Sequence, residues 1–198
     1  MSSKACSYEA LADLLRYPEA AWSARLAACR RALEGDDADA AGHVARFDEG
    51  THTLSVEERE ELHMRTFDCN PACALEVGWH LFGETYDRGA FLVWMRERLH
   101  TYGLPEIAEL PDHLTHVLPL LARLPATEAD RFATECVLVA LHRILAGFAG
   151  KNNPYEHALR AIASLLTARH GPARLDMAPL PVALPYDAEL GRADEVCV

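Results

Sequence analysis

Apolar residues in this chain recur at steps of three and four along most of its length, and no run of alternating β-branched residues interrupts them. That period builds helices with one buried face and does not build half-buried strands. Tyr8, Leu11 and Leu15 step this way and stop at Tyr17-Pro18, since a residue before proline is pushed out of the helical region. A second helix is predicted from Glu19 to Leu33, broken by Glu34-Gly35-Asp36-Asp37, and a short third one from Ala38 to Phe47, ending near Gly50. Ser55 with Glu58 three residues on is a capping-box pair, so a helix is predicted over 56–66. Asn70-Pro71 reads as a cap with a first-turn proline opening a helix over 72–82.

The later segments follow the same logic. Leu92, Met95, Leu99 and Tyr102 place one helix over 84–102, which Gly103 ends. Pro111-Asp112 predicts another helix, with Asp112 at its positive end. Thr127 reads as the cap of a long helix in which Val137, Leu141, Leu145 and Phe148 share a face. Its other sides are apolar too, so it belongs at the centre. Asn153-Pro154 opens the last helix, with Tyr155, Leu159, Ile162 and Leu166 in register, and His170-Gly171-Pro172 closes it. Beyond it Pro179, Pro181 and Pro185 remove the helical period. The expected architecture is all-α: an irregular bundle of about eight or nine helices spanning 1–171, followed by an extended proline-containing C-terminal tail over 172–198.

Charge narrows the partners. Thirty acidic against nineteen basic residues give a formal net charge of −11, a surface that repels nucleic-acid phosphates and anionic lipid heads and attracts basic peptides. The most apolar stretch, 136–150, is short for a membrane span and carries His142 and Arg143. The N-terminus lacks a signal-peptide core, because Glu9 and Asp13 interrupt it. Six cysteines without a CxxC pair read as reduced thiols, so a cytoplasmic location and no nucleic-acid or membrane-inserted partner are expected.

Catalytic patterns are missing. There is no serine nucleophile elbow, phosphate-cradling glycine loop or dinucleotide fingerprint. A metal site is a rival reading: Cys69 and Cys73 lie four apart, His113 and His116 three apart, with His63 and His80 nearby. Pro71 between the cysteines and the lack of a zinc-ribbon or HExxH spacing weigh against it.

Three segments carry a resemblance. Arg65-Thr66-Phe67-Asp68 followed by Asn70-Pro71 is one. His80, Gly83, Glu84, Thr85, Arg88 and Gly89 form the second, and Glu109-Leu110-Pro111-Asp112-His113-Leu114 the third. In this order and spacing, over roughly 5–170, they resemble the NarJ/TorD (nitrate reductase delta) family of molybdoenzyme assembly chaperones. The resemblance implies a protein that is not an enzyme and keeps no cofactor of its own. It implies binding to the N-terminal segment of a molybdoenzyme catalytic subunit, the partner that carries the molybdenum cofactor. The chaperone holds this segment through cofactor insertion and subunit docking, and delays export where the client is exported. A helical adaptor or regulator with no cofactor-assembly role shares the same groove physics and stays open as the alternative.

An amphipathic peptide laid in a helical groove buries its apolar side and meets charge at the rim. Glu84, Asp87 and Asp112 are the acids nearest the motifs, and arginine favours such carboxylate partners. Phe82, Tyr86, Phe91 and Trp94 are the candidate apolar floor, with Arg88 and His113 beside them. Each residue also has a plain structural reading. Asp112 can be a helix cap, His113 a histidine bonded to a backbone carbonyl, Arg88 a partner for Glu84 one turn back, and the aromatic stripe at 91, 94 and 102 core.

Overall fold

The computed structural model describes residues 3–19, 21–105 and 108–176, and within these it is all-α. The helices are α1 (Ser3–Leu14), α2 (Trp22–Leu33), α3 (Ala38–Thr51), α4 (Val56–Thr66), α5 (Val77–Phe82) and α6 (Tyr86–Thr101). They continue with α7 (Leu114–Leu121), α8 (Ala126–Phe132), α9 (Leu138–Ala146) and α10 (Tyr155–His170). A π-helical turn, Ala133–Val137, fuses α8 and α9 into one rod. The expected tail lies outside the described residues from 177 onward.

Local chemistry sets most boundaries. Ser55 accepts from the Glu58 amide while the Glu58 carboxylate accepts from the Ser55 amide, a complete capping box. Asp37 accepts from the Ala40 amide at 2.7 Å and starts α3. Gly103 and Gly171 close α6 and α10 with φ of 63° and 94°, a region L side chains avoid. Packing then follows the apolar faces. α10 lies along α3, α1 along α2 and α7, and α9 against α5. Every residue from 132 to 141 is buried, so the rod is central, as its all-round apolar sequence predicts.

Several boundaries differ from the sequence reading. α2 begins at Trp22 rather than Glu19. α8 begins at Ala126 directly after Pro125, and no side chain, Thr127 included, caps it. The segment expected as one helix over 72–82 is divided into a 3-10 turn, Pro71–Cys73, an extended stretch, and α5. The stretch is extended because it pairs with a distant segment. The Val77 amide donates to the Asp112 carbonyl at 2.9 Å and the Leu114 amide to the Leu75 carbonyl at 3.0 Å, around an antiparallel bridge between Glu76 and His113.

That pairing also relocates Asp112. It does not cap α7; His113 does, accepting from the Thr115 amide. The Asp112 carboxylate instead reaches across to α5, where Oδ2 accepts from the Gly78 amide at 2.9 Å. Gly78 is required for this approach, since a Cβ there would stand 2.7 Å from Asp112 Oδ2 and 2.8 Å from Phe91 Cδ1.

Candidate functional site

The bridge between 75–78 and 112–114 draws the three motif segments around one pocket of about 280 Å³. Phe67, Asp68 and Pro71 come from the first segment. Arg88 comes from the second, with Trp79 one residue before it, and Glu109 and His113 come from the third. Leu15, Leu75 and Ala74 give the pocket an apolar floor, and Glu76 and His63 complete its polar wall.

The pocket is acidic. Glu109 is held above the usual carboxylate range, first by burial and then by the neighbouring charges of Glu76 and Asp68. Arg88 is the cation set among them, and its guanidinium lies over the Trp79 ring, 5.4 Å from the centroid. The indole is anchored by donating Nε1–H to the Pro71 carbonyl at 2.9 Å. Asp112 stands beside this assembly at 0% exposure. Burial pushes its carboxyl up to about 6, against the opposing pull of the Arg88 charge and the Gly78 amide.

Burial disfavours the charged form of both histidines of the wall. Burial, with help from the charges of His116, His63 and Arg16, drives His113 down to about 3. Its Nδ1 accepts from Thr115, so its proton sits on Nε2. His63 is likewise lowered by burial. Its Nε2 donates to the Leu15 carbonyl at 3.1 Å, which leaves Nδ1 as an acceptor. Among the described residues that atom has no hydrogen-bond partner, and neither do Asp112 Oδ1 and Arg88 Nε. Buried polar atoms in native folds are nearly always partnered, by protein or by ordered water, so these three atoms set the hydrogen-bonding character of the pocket and its surroundings.

The structure brings together only part of the residue set that the sequence singled out. Arg88 and His113 line the pocket, and Asp112 adjoins it. Glu84, Tyr86 and Asp87 lie exposed on the turn leading into α6, with Tyr86 at 83% exposure. Glu84 precedes the helix, so Arg88 has no one-turn pairing with it and stacks on Trp79 instead. Phe82, Phe91 and Trp94 pack into the core. Their rings meet at 5.5 and 5.8 Å, and Trp94 meets Phe132 at 5.2 Å. Asp68 and Glu109 lie inside the motif segments but carry no periodic signal of their own. Glu76 and Trp79 become visible only once the chain is folded, and His63, weighed in the sequence as a metal ligand, takes its place in the pocket wall. Among the described residues, no three His, Cys, Asp or Glu side chains are arranged to hold a metal ion, and no helix is long and apolar enough to cross a membrane.

Comparison with known proteins gives one consistent relative. Over 123 residues the chain is 33% identical to the nitrate reductase molybdenum cofactor assembly chaperone NarJ of Escherichia coli K12, and equally to that of strain O157:H7. The alignment takes in 59% of this chain and 51% of the relative, so the chain spans about half the length of the curated relatives it matches. No protein-family model matches it.

Proposed function

We propose that this protein is an assembly chaperone for a molybdoenzyme, and that it acts by holding a basic N-terminal peptide of the catalytic subunit at the acidic pocket between α4, α5 and the segment before α7. It works stoichiometrically in the cytoplasm and catalyses no reaction; the molybdenum cofactor belongs to the client. It retains the peptide until the cofactor is inserted and the partner subunit has docked, and delays export where the client is exported.

One observation carries this reading. Three segments that resemble the chaperone family, spread from 65 to 114 in the sequence, line a single pocket whose carboxylates outnumber its cations. The likeness to NarJ supports the assembly role. The physical action follows from the wall. Asp68, Glu76 and Glu109 attract and orient a basic segment at long range, and the apolar floor under Leu15, Phe67 and Leu75 rewards its desolvation. Tyr86, Glu84 and Asp87 extend the surface along the outer turn of α6, where a longer peptide would run.

Isothermal titration with a synthetic N-terminal peptide of a nitrate-reductase catalytic subunit tests the reading. The double variant Glu76→Gln/Glu109→Gln is expected to weaken binding at least about tenfold and to flatten its salt dependence. Glu84→Ala and Asp87→Ala weaken it less, because both carboxylates are solvated. Unchanged affinity in the double variant, with helicity intact, removes the pocket as the peptide site. Co-purification that recovers only partners unrelated to molybdoenzymes favours the adaptor reading instead.

A further inference from the structure

The hydrogen-bonding inventory of the pocket is lopsided. Its open acceptors include His63 Nδ1, in a residue only 7% exposed, and the carboxylates of Asp68, Glu76 and Glu109. Asp112 Oδ1, fully buried alongside, is a further unfilled acceptor. The His63 atom is an acceptor in the neutral ring, since Nε2 holds the proton for the Leu15 carbonyl and burial disfavours a second one. A ligand that completes this wall must therefore bring donors and positive charge. The volume of about 280 Å³ admits one long side chain rather than a helix face. The Trp79 ring favours a planar cation, which guanidinium is and ammonium is not. Arg88 already meets that description. It lines the pocket, lies on the indole and acts on Asp112 by its charge, yet its own Nε is unfilled.

We propose that Arg88 is a built-in surrogate ligand: in the free protein its guanidinium occupies the Trp79 face of the acidic pocket, and a guanidinium side chain of a bound chain displaces it. The inference rests on the pocket being the peptide site and adds to it the identity of the anchoring side chain and an internal competitor. Once displaced, Arg88 swings outward from the first turn of α6 into solvent, on a stretch whose carboxylates Glu84 and Asp87 are exposed. The displacement makes binding conditional. A neutral or weakly cationic segment does not dislodge Arg88, so the site rejects apolar peptides that would otherwise stick to its floor.

The test uses the full chain with three blocked amino acids as probes: N-acetyl-arginine amide, its lysine counterpart, and the citrulline analogue, which keeps the shape and lacks the charge. Arg88→Gln is expected to bind the arginine probe about tenfold tighter than wild type, as when an internal competitor that holds the site nine-tenths of the time is removed. Arginine should exceed lysine, citrulline should not bind, and Trp79 fluorescence should report occupancy in the wild type and not in Trp79→Phe. Arg88→Lys, which keeps the charge and loses the planar stack, should give a smaller gain and covers the case in which the glutamine variant does not fold. Equal or weaker binding of the arginine probe by a folded Arg88 variant overturns the proposal, as does equal binding of citrulline. If the client peptide still binds through Glu76 and Glu109 in that case, the surrogate fails and the peptide site stands.

Discussion

The two ends of α10 are built on opposite terms. At its C-terminal end the polar groups answer one another: His170 bonds Tyr8 Oη at 2.7 Å through Nε2 and Asp130 at 2.6 Å through Nδ1. Arg169 pairs with Asp36 and lies over the Tyr8 ring, and Ser7 donates to the same carboxylate at 2.7 Å. Buried Glu135, set inward by the π-helical turn, accepts from Arg174 at 3.2 Å, tying the chain that leaves α10 back onto the rod. At its N-terminal end Tyr155 packs against His63 and Phe67, both in the pocket wall. There, among the described residues, Tyr155 Oη and His63 Nδ1 have no hydrogen-bond partner, and neither do Asp112 Oδ1 and Arg88 Nε around the same pocket. One end is closed by its own polar contacts. The other leaves polar groups that the protein itself does not pair, a state that costs stability unless water or a ligand meets them.

This contrast predicts opposite signs for polar deletions at the two ends. Asp112→Asn keeps an acceptor for Gly78 and removes the buried charge, so it should stabilise the fold. The folded carboxyl titrates at about 6 against an ordinary 3.8, a difference worth up to about 3 kcal/mol at neutral pH. The folded pKa is the raised one, so the carboxyl's contribution is full below the ordinary value and is lost as pH rises through about 6. Urea melts should show the variant's advantage at about pH 7.5 and little of it at about pH 4.5. The same variant should bind the client peptide less well. A variant less stable than wild type at both pH values would abolish the contrast. At the closed end, His170→Ala takes from the buried Tyr8 hydroxyl its bond to Nε2 and from Asp130 its bond to Nδ1, and should cost about 1–3 kcal/mol, read as a lower urea midpoint with an unchanged slope. A stabilised His170 variant would equally undo the comparison.

How far the sequence alone reaches follows the same division. Helix boundaries written in neighbouring residues, such as Ser55 with Glu58, Gly103 and Gly171, are legible because their chemistry is local. The break at 74–76 is not, because its cause, the pairing with 112–114, lies more than thirty residues away. Asp112 preceding a helix looks like a cap until the fold brings Gly78 to it. The candidate site divides in the same manner. Its motif segments are visible as text, but which side chains face the pocket depends on where α5 and α6 pack. Phe91 and Trp94 share a spacing with groove residues, and the neighbouring Phe132 draws them into the core instead. Glu76 and Trp79 have no sequence signal at all, because neither completes a local period or cap.

The smallest expected effect lies on the α3 side of the first turn of α10. There His43 Nδ1 and His157 Nδ1 meet at 3.2 Å, so one ring donates and the other accepts. A second proton cannot be added without turning that hydrogen bond into a clash of like charges. Burial and then the facing charge of His157, with Arg46 and Arg160 behind it, lower the His43 pKa, while Asp39 opposes them. A histidine whose folded pKa is depressed contributes stability that is present above its unfolded value and is lost as pH falls through the folded one. Thermal melts between about pH 7.5 and 5.5 should therefore show a larger fall in Tm for wild type than for His43→Gln, which keeps a hydrogen bond to His157 without titrating. Both histidines are partly solvated, so the difference should stay well below that of either end. Identical pH profiles would mean that the α3–α10 seam tolerates both charges and that this histidine pair adds nothing to the acid sensitivity of α10.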